Sequence, residues 1–147
     1  MKSAFRPVAA LFALAALLGL ILTSCPSNRD GMPGQLASAK QEVESACRSG
    51  VLAVDLWRDG RSTEQLASVQ LGDARDEVVK AYRGIATLTA DDPVDLGRQQ
   101  FLTASMTTII VRLNAAIAVV QSLVDEPPGA VHQRLVDAAD TLKRDYR

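Results

Sequence analysis

The chain has few of the residues that usually carry chemistry. In 147 residues it holds one histidine, two cysteines and one tryptophan, and aromatics make up 4%. No Cys-x-x-Cys or His-x-x-x-His spacing occurs, which excludes the common zinc sites. The one histidine, His132, would need a glutamate three residues earlier to form the Glu-x-x-His pair of a di-iron bundle, and position 129 is glycine. Met32 and Met106 stand too far apart in sequence to suggest a copper site. Gly-x-Ser-x-Gly is absent, and so is any glycine-rich phosphate loop. There is no run of lysine and arginine, so neither a nucleic-acid footprint nor a polybasic membrane contact is expected. Alternation of apolar and polar residues is missing too, and with it any sign of strands. These absences point away from catalysis, cofactors and metals. They leave anchoring, architecture and surfaces as the informative features.

The first 25 residues have a clear organisation. Lys2 and Arg6 give a positive start, Pro7 follows, and residues 8–22 are uncharged and apolar. A spanning helix needs about 20 apolar residues to cross the hydrocarbon core, so this run is short for a permanent span. It has the form of a secretory signal. The run ends in Leu22-Thr23-Ser24-Cys25. An aliphatic residue and two small residues before a cysteine resemble the lipobox of bacterial lipoproteins. The resemblance covers residues 1–25 and implies acylation of the Cys25 thiol with cleavage before it. Residues 1–24 are then the signal peptide, and the protein is held by lipid on the extracytoplasmic side of a cell membrane. The alternative is an ordinary signal peptide with Cys25 left as a plain thiol, which would permit a Cys25–Cys47 bridge in an oxidising compartment.

Removal of Lys2 and Arg6 leaves 14 basic and 17 acidic residues, a net charge of about −3 on the remaining 123 residues. That length suits one domain. Residues 25–34 are expected to form the lipidated cysteine and a tether, because two prolines and two glycines in nine residues bury little. Residues 35–147 are expected to form the folded body.

Four helical patterns follow. The first, over 35–58, repeats Leu36, Val43, Gly50 and Trp57 every seven residues, with Ala39, Ala46 and Ala53 three positions on and Cys47 and Val54 widening the face. Its small residues permit close approach of another helix, and Gly60 is a natural left-handed stop. The second runs from a capping box with Ser62 at the cap and Gln65 at the third position to about residue 88. Its stripe is Leu71, Ala74, Val78, Ala81, Ile85 and Leu88, and Asp76 and Lys80 are spaced for an i,i+4 pair. The third is capped by Asp92, with Pro93 at its first position and Asp95 in its first turn. It should run to about residue 124 on Leu102, Met106, Ile109, Leu113, Ala116, Val120 and Leu123. The last, about 130–146, carries Val131, Leu135, Ala138 and Leu142, with Asp140 and Arg144 as another exposed pair. The predicted fold is all-α: an antiparallel four-helix bundle, up-down-up-down. A three-helix bundle with the last helix laid across it is the runner-up.

Three side chains admit a functional or a structural role. Cys47 lies on the apolar face of the first helix and reads as a buried, inert thiol. Trp57 reads as a core plug and His132 as a half-exposed surface residue. The acidic group Asp73, Asp76 and Glu77 reads as a solvated face.

The back of the third helix is different. Between Gln99 and Val124 its one charge is Arg112. A second bilayer crossing there would bury that arginine at about 2.5–3.5 kcal/mol, with Asn114 and Gln121 adding to it. Burial among the other helices or a tolerated solvated face would account for the strip without function. The remaining possibility is a surface for a partner, centred on Ala104, Val111, Ala115, Ala118 and Val119. The expected function is therefore binding rather than catalysis: an adaptor or an exclusion/immunity-type surface factor meeting an envelope protein or a second copy of itself, with no cofactor and no nucleic acid. A carrier of a small apolar ligand or lipid in the bundle interior is the second reading.

Overall fold

The computed structural model describes residues 31–146, and within them four helices follow one another without a strand. They are α1 (Gly31–Arg58), α2 (Glu64–Ala86), α3 (Pro93–Val120) and α4 (Pro128–Asp145). The expected signal segment, the Leu22–Cys25 stretch and residues 26–30 of the expected tether lie outside the described residues.

The expected tether extends less far than its composition suggested. Helix α1 begins at Gly31, so residues 31–34 are helical. Pro33 sits in the first turn, where its missing N–H breaks no intrahelical bond. Met32 packs against the core, a gain that a solvated tether would forgo. At its other end α1 closes as expected on Gly60, whose φ is +68°. The Gly60 N–H donates to Trp57 O (3.0 Å) and the Arg61 N–H to Leu56 O (2.8 Å), a Schellman closure.

That closure moves the next cap. The Ser62 N–H also donates to Leu56 O, at 3.0 Å, so Ser62 belongs to the turn. Thr63 caps α2 in its place, its hydroxyl accepting from Leu66 N–H at 3.2 Å. The third helical residue is then Leu66, and the reciprocal half of the expected capping box is lost. The Asp92 cap on α3 stands as expected, accepting from Val94 N–H at 2.7 Å. Asp95 lies buried in the first turn and takes Arg98 Nη1 at 3.3 Å.

Helix α3 ends at Val120, four residues short of the expected boundary. Ser122 adopts φ +55° and supports a second Schellman closure, with Leu123 N–H on Ala118 O (2.9 Å) and Ser122 N–H on Val119 O (3.0 Å). Leu123 and Val124, expected in or beside the core stripe, are therefore 72% and 50% exposed. Helix α4 starts two residues earlier than expected, with Pro128 at its first position. Leu88 falls beyond α2 and is only partly buried.

The helices pack as an antiparallel four-helix bundle. Each packs on its sequence neighbours, α4 closes back on α1, and α1 also meets α3 across the diagonal, while α2 and α4 do not touch. The alanine and glycine row of α1 explains that diagonal. A Cβ on Gly50 would lie 2.6 Å from Leu113 Cδ2, 3.6 Å from Leu71 Cδ2 and 3.8 Å from Ala74 Cβ. The small row closes the gap beside α3; Leu113 fills it. Leu36, Leu71, Leu102, Met106, Ile109, Leu113, Leu135 and Leu142 are the largest wholly buried side chains.

Candidate interaction surface

Helix α3 is long and apolar enough to cross a membrane by length and composition, yet two thirds of its most apolar window is not buried in the bundle. Its core stripe faces inward, so the question is what its other side presents. Ala104, Thr107, Thr108, Val111 and Asn114 are exposed, Val111 at 55%. Ala115 and Ala118 are half-buried. Val119, expected on this face, is buried at 6% and belongs to the core. The reason is its row: Val119 stands seven residues after Arg112, and Arg112 lines the groove between α3 and α4. That row turns into the seam with α4.

The threonines make the face less polar than their names suggest. Thr107 Oγ1 donates to Thr103 O at 2.9 Å and Thr108 Oγ1 to Ala104 O at 3.1 Å. Thr103 at the margin does the same toward Gln99 O and Gln100 O. Each hydroxyl proton is spent on the carbonyl of an earlier turn. A partner covering this face strips few free donors of water, so its desolvation cost is low.

The surface also has a period that the sequence reading did not single out. Gly97, Ala104, Val111 and Ala118 recur every seven residues, with Phe101, Thr108 and Ala115 between them at alternating steps of four and three. This is the spacing of a helix–helix seam. It lies on the side of α3 away from Leu102, Met106, Ile109 and Leu113, which the bundle already uses. A clean 3.5-residue repeat with uncharged members was the available signal, hidden because the core stripe of the same helix has the same spacing.

The other singled-out residues fall in structural settings. The Cys47 thiol is free, wholly buried, and 3.6 Å from Leu135 O on α4, toward which it donates. Burial pushes its pKa up to about 11. A thiol whose folded pKa is raised contributes stability that is complete below its unfolded pKa and is lost as pH rises through the folded value. The wild-type protein is therefore expected to lose stability between about pH 9 and pH 11 relative to Cys47→Ala, by an amount on the order of 2 kcal/mol. Urea unfolding of both proteins across that range checks it. Parallel curves would mean that Cys47 is not buried as described.

His132 Nε2 lies 3.2 Å from the Asp55 carboxylate, which also takes Arg58 at 3.1 Å, and this joins the start of α4 to the end of α1. Trp57 packs half-buried against the core. The expected Asp76–Lys80 pair is not formed: Asp76 takes Arg75 at 2.8 Å and Lys80 turns to Glu77 at 3.7 Å. Likewise Arg144 turns to Asp145 rather than Asp140. These exposed pairs contribute at most about 1 kcal/mol each. Asp73 and Glu77 join Glu42, Ser45, Ser49, Leu52 and Gln70 in an open, acidic groove between α1 and α2. Among the described residues no three His, Cys, Asp or Glu side chains gather as metal ligands.

Two features of the fold escaped the sequence reading. Gln99 is buried, and its amide donates to Ile85 O (2.6 Å) and Leu88 O (2.9 Å), satisfying carbonyls at the end of α2. Phe101 and Tyr146 pair with ring centroids 6.5 Å apart, with Lys40 5.6 Å from the tyrosine centroid. No family model, curated protein or solved structure matches this chain.

Proposed function

We propose that this protein is a lipid-anchored component of a bacterial cell envelope that works by binding another protein through the outer face of α3. The anchor is Cys25, on the strength of the lipobox-like stretch before it. The observation that supports the binding role is the second heptad row of α3, uncharged and exposed at Gly97, Ala104, Thr108 and Val111, with the hydroxyls of Thr108 and of the flanking Thr107 already bonded to their own helix. Small residues at Gly97, Ala104, Ala115 and Ala118 let a partner helix approach closely, and Val111 gives a central apolar contact. The acidic surface and the absence of a basic run fit a protein partner better than a nucleic acid. The interior-carrier reading receives less support, since Leu113 fills the space that the small row of α1 would have left.

A photo-crosslinking residue at Val111 tests this in cells of the native host. A discrete adduct is expected from Val111 and none from Lys80, which is exposed on α2. Val111→Arg is expected to abolish adducts from a crosslinker placed at Ala104 while changing stability by no more than about 0.5 kcal/mol, because Val111 is already exposed. An adduct of twice the chain mass would identify the partner as a second copy. Equal adducts from Val111 and Lys80, or none from either, would remove the binding role of this face.

A further inference from the structure

The two ends of the bundle differ in how near they lie to Cys25 along the chain, and the difference bears on how an anchored molecule would stand. One end gathers the start of α1, the α2–α3 connection and the end of α4. Lys40 over the Tyr146 ring and the Phe101–Tyr146 pair bring the first, third and last of the helices together there, and Gln99 holds the end of α2 beside them. Residues 31–39 of α1 carry no charge, and neither do residues 86–90. Val94 (58% exposed) and Leu96 (42%) project at the start of α3. Pro93, Val94, Gly97 and Phe101 line a shallow groove that Tyr146 closes on the α4 side. Against these stand Asp91, Asp92, Asp95 and Asp145: Asp92 is engaged as the helix cap, Asp95 is paired with Arg98, and Asp145, which lines the groove, is paired with Arg144, while Lys143 adds one positive charge. The opposite end has Leu66, Val69, Leu123 and Val124 exposed among Arg58, Asp59, Arg61, Glu64, Asp125 and Glu126.

We infer that the end of the bundle holding Gly31, the 86–92 connection and Tyr146 rests on the phospholipid surface, with Val94 and Leu96 entering the headgroup region. This rests on the lipid-anchor reading. Six peptide steps separate Cys25 from Gly31, a span of at most about 22 Å. Helix α1 alone is about 42 Å long, so the opposite end lies beyond that reach when the bundle stands on its tether. The near end meets the membrane with uncharged backbone segments, two exposed aliphatic side chains and a tyrosine, the aromatic that suits the headgroup level. The bundle then stands upright, and the outer face of α3 is turned sideways toward neighbours in the same membrane.

The full chain, extracted from membranes and returned to vesicles of phosphatidylethanolamine and phosphatidylglycerol, tests the orientation. An environment-sensitive fluorophore is placed on Leu96→Cys, Val111→Cys or Leu123→Cys; Cys47 is buried and leaves the label to the new thiol. Nitroxide-bearing lipids are expected to quench the Leu96→Cys label several times more than the other two. Equal quenching at Leu96→Cys and Leu123→Cys, or strongest quenching at Val111→Cys, overturns the upright orientation, and an acylated, vesicle-bound protein then leaves the anchor reading standing. An unacylated Cys25 in the intact mass of the same preparation removes the anchor, and the orientation falls with it.

Discussion

Gly50→Leu is expected to destabilise the bundle by about 3 kcal/mol or more, a large part of the roughly 5–15 kcal/mol that holds a domain of this size together. The cause is the α1–α3 diagonal. A single Cβ at position 50 would already come within 2.6 Å of Leu113 Cδ2, and Leu113 is wholly buried. Leu71 and Ala74 close the space from α2. A leucine side chain must therefore push α1 away from two neighbours at once. Overpacking by one or two methylenes costs about 1–3 kcal/mol, and leucine adds more than that. Replacing glycine within a helix returns only about 1 kcal/mol in propensity. Gly72 provides an internal control: a Cβ there meets nothing within 4 Å. Gly72→Ala is expected to stabilise the protein by about 0.5–1 kcal/mol. Urea unfolding followed by far-ultraviolet circular dichroism compares the two variants. A Gly50→Leu protein as stable as wild type would mean that α1 and α3 do not approach as closely as described.

The elements that the sequence made legible are those that rest on periodicity and caps. Every wholly buried leucine of the core lies on a stripe that the sequence shows, whereas the prolines and glycines at the start of α1 hide helical residues 31–34. Gly60 and Asp92 were readable because each does a job that few residue types can do. The misplaced start of α2 and end of α3 share a cause: a hydrogen-bonded closure that reaches past the helix. Leu56 O takes two donors from the turn and shifts the cap from Ser62 to Thr63. Ser122 stops α3 in a left-handed conformation that glycine would have advertised and serine does not. Surface ion pairs were the least legible, since long side chains on an exposed helix choose among several carboxylates of nearly equal energy.

On the candidate surface, four of the five residues picked from the sequence do lie on or beside the outer face of α3, and Val119 does not. A 3.6-residue helix drifts relative to a 3.5-residue row, so the far end of any long stripe rotates toward a neighbour. The back-bonded threonines could not have been read from the sequence, because a hydroxyl's partner depends on its rotamer.

Cys25→Ala is expected to change the fate of the whole molecule. On the proposed lipid anchor, losing the thiol removes the acyl acceptor, while the bundle core, built from residues 36–142, keeps all its side chains. One acyl chain holds a protein only reversibly, whereas two, at about 0.8 kcal/mol per buried CH₂, hold it stably. The variant should accumulate as uncleaved precursor or escape from the membrane, with α-helical content unchanged. Helix α1 starts at Gly31, with residues 26–30 between it and Cys25, so an anchor at Cys25 would hold the body close to the lipid. Feeding cells a labelled fatty acid and following the label on the purified protein is the most direct measurement. Label on the wild-type chain and none on Cys25→Ala is the expected result; equal label on both, or none on either, would contradict a lipid anchor at this cysteine.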